Sequence, residues 1–137
     1  MFKFRLERVL GHRERLEKEA KNLYIQRKAM RLSWEQEIAA LQERRNELSR
    51  TPVDSVVFRM ELGNNFSKVD DDEKAARISL EVLKAEEEAA EMAWIHAKKE
   101  LQVIQKLRDN RKAEWDLEDS RKAQNALDEW ATLRRSA

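Results

Sequence analysis

His12 and His96 are the side chains in this 137-residue sequence best suited to bind a metal or to move a proton near neutral pH. Neither has the company that such chemistry needs. No second His and no Cys stands at ligand spacing from either, and Glu100, four residues after His96, fits an ordinary neighbour on a helix surface. The acid runs Asp70 to Glu73 and Glu86 to Glu88 lack the alternating oxygen ligands of a calcium loop. Gly11 and Gly63 stand alone, so no glycine-rich loop is available to cradle a phosphate. With no nucleophile, acid–base pair or cofactor loop in sight, the sequence predicts a non-enzymatic protein with no catalytic residue, no metal site and no cofactor. Its chemistry is expected to be binding.

The elements that would position a binding surface follow from composition. Two Gly, one Pro and 40% charged residues leave little material for turns. The expected fold class is all-α, with apolar residues buried along an extended seam, and the expected shape is a rod. Acids and bases are interspersed and the net charge is +1, which argues against a nucleic-acid or membrane-surface protein. Charges at Arg5, Glu7, Arg8 and Arg13 interrupt the opening apolar run, so it does not read as a secretory leader, and no apolar window is long enough to insert directly in a membrane. The absence of Cys suits a reducing compartment.

Stepping from Leu6 by alternating threes and fours gives Leu6, Val9, Arg13, Leu16, Ala20, Leu23, Arg27, Met30, Trp34, Glu37, Leu41, Arg44 and Leu48, which predicts one helix over about 2–49. The only Pro follows. Thr51 with Pro52 reads as the start of a short helix that Gly63, Asn64 and Asn65 would end, giving a helical or irregular corner over about 50–68. A second long helix, about 69–133, opens on Asp70 to Glu73. Its seam runs Ala76, Leu80, Leu83, Glu87, Ala90, Trp94, Ala97, Leu101, Ile104, Arg108, Arg111 and Trp115, after which the phase slips by one residue, with Ala123, Leu127 and Trp130 resuming the spacing. The economical arrangement is one domain, an antiparallel coiled-coil hairpin that is a monomer when isolated, because intramolecular pairing carries no concentration penalty.

Surplus apolar residues then point to partners. With Leu6 at heptad position a, Phe4, Ile25 and Leu32 fall on the outer f position, while Leu10, Tyr24 and Ile38 fall at e, beside the seam. In the corner, Val56, Val57, Phe58, Leu62 and Phe66 cannot all face one seam. Met1 to Arg31 holds ten Lys or Arg against four acids, whereas Val53 to Glu91 holds five against eleven. A hairpin so charged would have a basic free end and an acidic corner, suited to two different partners.

The ends of the chain resemble a known family. "FKFRLERVLGHRERLEKEA", through Phe2, Phe4, Leu6, Val9, Leu10, Arg13 and Glu14, is similar to the amino-terminal pattern of the FliJ family, coiled-coil components of the bacterial flagellar type III export apparatus. "RKAQNALDEWATLRR" resembles that family's ending, through Gln124, Leu127, Asp128, Glu129, Ala131 and Arg134. The resemblance implies an antiparallel two-helix stalk that binds the hexameric export ATPase and the cytoplasmic domain of the export gate protein, and that assists the cycling of export chaperones. It implies a cytoplasmic protein held peripherally at the inner membrane through that apparatus. Carried onto this sequence, it implies ATPase contacts at Phe2, Phe4, Arg5, Leu6, Leu10, Arg13, Leu127, Asp128 and Trp130. For the gate, Phe58, Leu62 and Phe66 are the corresponding expectation. Two other readings fit the same pattern: the analogous stalk of a virulence secretion system, and a homodimeric coiled-coil scaffold with no ATPase partner.

Overall fold

The computed structural model describes residues 1–136 and contains two helices, α1 (Glu7–Arg50) and α2 (Val56–Ser136), with no strand among the described residues. The chain divides into two compact units, one comprising Glu19–Trp94 and the other Met1–Lys18 together with the chain from Ile95 onward.

The Glu19–Trp94 unit is an antiparallel helical hairpin. Contacts across it descend α2 as α1 ascends: Tyr24 meets Trp94, Arg31 pairs with Glu87, and Arg45 pairs with Asp70 at 3.1 Å, with Arg27 to Glu86 at 3.2 Å as a further ion pair across the helices. Its apolar centre is Ile38 against Ala76 and Leu80, flanked by Trp34 and Leu41. Further along, Tyr24 stacks on Trp94 with ring centroids 5.5 Å apart. Small Ala76 opposite larger side chains lets the two backbones approach, which is how a thin two-helix layer reaches close packing.

This arrangement corrects half of the α1 seam. Leu6, Arg13, Ala20, Arg27, Trp34, Leu41 and Leu48 do face α2, but the positions between them include Leu10, Tyr24, Arg31, Ile38 and Arg45, one residue later than expected, while Leu16 and Glu17 are both half-buried. Ile38, expected beside the seam, is 7% exposed and central to it, while Leu23, expected inside, is 42% exposed. Counting apolar residues alone favours the wrong phase. The observed phase instead lets Arg31 and Arg45 reach carboxylates on α2 and lets Tyr24 meet Trp94. Much of the charge asymmetry in the sequence is thereby neutralised across the helix pair.

The corner is shorter than expected, spanning residues 51–55 only. Thr51 does not start a helix. Its hydroxyl donates to the Glu47 carbonyl at 2.9 Å and its N–H to the Leu48 carbonyl at 3.3 Å, so it closes α1. The start of α2 is set by Ser55, whose Oγ accepts from the Phe58 N–H at 3.1 Å. α2 then passes through Gly63, Asn64 and Asn65 without a break. Phe58, Leu62, Phe66 and Val69 share the face that continues into Glu73, Ala76 and Leu80, and burying that face outweighs a local stop signal worth about 1 kcal/mol per Gly.

The other unit is also an antiparallel helix pair, with Arg13 bonded to Glu100 and Glu7 to Arg108 at 3.3 Å. α1 begins at Glu7 here and not at Phe2, as a single helix from residue 2 would require. The Glu7 N–H donates to the Phe4 carbonyl at 3.2 Å and the Leu10 N–H to the Leu6 carbonyl at 2.9 Å, so a turn leads into the helix. The α2 seam holds as expected from Ala76 to Arg108, and every described residue after Arg108 is exposed.

Candidate partner-binding site

The non-helical arm before α1 is where the sequence concentrates Phe2, Phe4 and Leu6. Spaced by two, these residues would diverge on a helix, but as an arm ahead of a turn all three are half-buried. Phe2 sets its ring against Trp115 at 6.1 Å and 54°, a tilted aromatic contact. Phe2, Lys3, Phe4, Arg5 and Leu6 form one wall of a shallow groove of about 540 Å³, and Leu107, Arg111, Glu114, Trp115 and Glu118 of α2 form the other. Apolar Phe2, Phe4, Leu6, Leu107 and Trp115 share this groove with Lys3, Arg5 and Arg111 and with Glu114 and Glu118. Such a surface offers an anchor for an apolar side chain with charges placed to orient it.

The expected ATPase contacts separate into three groups. Phe2, Phe4, Arg5 and Leu6 come together at this groove. Leu10 does not join them: it is 5% exposed, closing the helix pair, and is corrected from contact residue to core. Arg13 is half-buried and bonded to Glu100, whose other carboxylate oxygen lies 3.1 Å from His96 Nε2, so Arg13 helps to hold the helix pair. Leu127, Asp128 and Trp130 lie further along α2, about 14 Å or more beyond Glu118 at the helical rise, and are not brought to the groove. They are nonetheless open: Leu127 is 61% and Trp130 59% exposed. Arg134 lies over the Trp130 ring at 5.0 Å, and the Gln124 amide donates to Asp128 at 3.2 Å.

In the Glu19–Trp94 unit, the expected gate contacts Phe58, Leu62 and Phe66 are half-buried along the seam, and the open apolar residues near the corner are Val53, Val56, Val57 and Met60. A second surface went unnoticed in the sequence. Ala75, Ile78, Val82, Ala85, Ala89 and Met92 repeat at threes and fours on the back of α2, all exposed. Its signal in the sequence is a second apolar heptad running beside the first, on the face of α2 away from the seam.

Electrostatics in this unit fix pairs more than they prepare chemistry. The Arg31 guanidinium is held above its ordinary range by its bonds to Glu87 first and Glu35 second. The Glu73 carboxyl is lowered, chiefly by Arg77, which donates to it at 2.8 Å, with Gln42 and Arg45 adding to the effect against some desolvation. No group of three or more His, Asp or Glu among the described residues is placed to hold a metal ion, and no described helix is long and apolar enough to cross a membrane.

A family model described as flagellar FliJ protein matches residues 2–136. The chain belongs to the FliJ family. No curated protein and no solved structure gave a match. As a FliJ-family protein it is a helical coiled-coil component related to flagellar type III export. The family match covers the arm, both helices and the open stretch of α2 alike.

Proposed function

We propose that this FliJ-family chain acts as a non-catalytic, central-stalk-like element of the export apparatus, binding the hexameric export ATPase through the arm groove and the open end of α2. The observation that carries the reading is the exposed stretch of α2 beyond the arm groove, which keeps Leu127, Trp130 and Leu133 open to solvent. A helix bearing unburied Leu and Trp over several turns is the composition of a docking element. Mixed charge along the same stretch suits contacts that must form and release as a ring changes conformation.

The same reading gives the Glu19–Trp94 unit a second partner, the cytoplasmic domain of the export gate, with export chaperones using the apparatus so assembled. The exposed stripe from Ala75 to Met92 and the open Val56, Val57 and Met60 support this better than the half-buried Phe58, Leu62 and Phe66. Association with the cytoplasmic face of the membrane is then peripheral, through these partners.

Titrating the chain against the cognate export ATPase tests the proposal. Phe4→Ala combined with Trp130→Ala should weaken binding by about tenfold or more, with helicity nearly intact. Unchanged affinity in that double variant would remove the assignment of this surface to the ATPase.

A further inference from the structure

We infer that the exposed end of α2 pairs, weakly and antiparallel, with the same stretch of a second copy of this chain. The inference goes beyond the ATPase reading and rests on the register of one helical face. Asp116, Ser120, Ala123, Leu127, Trp130 and Arg134 alternate by fours and threes, a heptad seam carried on an exposed helix. Laid antiparallel against its own copy about residue 125, this face complements itself layer by layer. Ala123 meets Leu127, Ser120 meets Trp130, and Asp116 meets Arg134, each contact occurring twice about the dyad. Small faces large in two layers, and acid faces base in the outermost.

Alternative registers lose these matches. A parallel pair sets Asp116 on Asp116 and Arg134 on Arg134, like charges in both outer layers. Sliding the antiparallel pair by one heptad crowds Leu127 against Trp130 and leaves Arg134 opposite Ala123. The same operation applied to the other exposed stripe, Ala75 to Met92, fails in either direction: Glu81 faces Glu88 when antiparallel and Glu86 when parallel. Self-complementarity is therefore a property of the α2 end and not of every apolar face in this chain.

The overlap is about 28 Å of helix, short of what a standard stable interface buries, and Asp119 falls opposite Leu133 at the flank, so the pair is concentration-dependent. It covers Leu127 and Trp130. Any other partner that uses those two residues competes with it, and the dimer is a form in which the docking end is closed.

Sedimentation equilibrium of the full chain tests self-association directly, with an expected dissociation constant on the order of 10–100 μM. Asp116→Arg and Arg134→Asp should each weaken dimerisation by several-fold, and the double swap should restore it. Register is read by cross-linking, because the chain has no Cys of its own. A short bismaleimide should join copies carrying Ala126→Cys, whose positions meet at the dyad, and should leave Leu133→Cys unlinked. A dimer that fails to cross-link through Ala126→Cys would not be paired in this register, and a dimer indifferent to the charge swaps would place the contact elsewhere. Either result, or a monomer throughout the concentration range, overturns the inference.

Discussion

The Glu19–Trp94 unit and the stretch of α2 after Glu118 are built from the same residue types, yet in the first the apolar stripe lies against a facing helix and in the second it lies in solvent. Helical order in the two regions therefore has different origins. In the first, burial of Ile38, Ala76 and Leu80 holds the turns. In the second, helix propagates from an already nucleated segment, helped by local contacts such as Gln124 to Asp128 and Arg134 over Trp130, each contributing a few tenths of a kcal/mol. One region stores stability and the other presents surface.

Core truncation is the largest way to test that contrast. Ile38→Ala should lower unfolding free energy by about 2–4 kcal/mol, whereas Leu23→Ala, on an exposed position, should cost less than about 1 kcal/mol. Chemical denaturation of the two variants measures both, and a reversed order would return the seam to the phase that apolar counting favours. Leu127→Ala should move the same curve by less than about 0.5 kcal/mol, since nothing in the isolated chain covers that side chain. Amide hydrogen exchange should agree: residues 119–136 should exchange with little protection, while the α2 amides around Leu80 should approach protection set by global unfolding. Equal protection in the two regions would mean that the α2 end has a partner in solution.

These contrasts also mark what was legible in the residues beforehand. The α2 seam from Ala76 to Arg108 was readable because apolar spacing there has one strong phase. The α1 seam had two phases one residue apart, and the choice fell to Arg31 with Glu87, Arg45 with Asp70 and Tyr24 with Trp94, long-range pairs that no local window contains. The corner departs from expectation for a related reason: Gly63 and Asn64 are local signals, and the face shared by Phe58, Leu62, Phe66 and Val69 overrides them. Of the binding residues, the arm was legible as excess Phe, but its place beside Trp115 depended on the turn at Phe4. Leu10 illustrates the opposite error, an apolar residue assigned outward by phase and found inside.

Gly63 gives a smaller test, because it sits in the helical interior of α2 with no atom within 4 Å of where a Cβ would be. Its φ is not positive, so the glycine serves no backbone need there. Gly63→Ala should raise stability by about 0.5–1 kcal/mol, read from the denaturation midpoint. Asn125→Ala, the same kind of improvement made in the exposed stretch, should raise helical content by circular dichroism and leave the midpoint unmoved. The two substitutions together distinguish a turn coupled to the cooperative unit from one that frays on its own. A midpoint shift at residue 125 would join the α2 end to the folded unit.

The smallest expected effect is electrostatic and confined to the buried side of the contrast. Glu73 accepts from Arg77 and Gln42 and lies 3.9 Å from Arg45, and these contacts hold its carboxyl below the ordinary glutamate value of 4.5. A group more acidic in the folded state stabilises fully above its unfolded value, and that contribution is lost as pH falls through the folded value. Glu73→Gln should therefore lower the thermal midpoint at neutral pH, with the gap from the parent chain narrowing below about pH 4.5 and closing once the parent carboxyl is protonated. Midpoints followed from pH 7 to pH 3 for the two proteins give the comparison. A gap that is constant with pH would mean that the glutamine changes packing, and that the charge contacts of Glu73 with Arg77 within α2 and with Arg45 of α1 add nothing to stability.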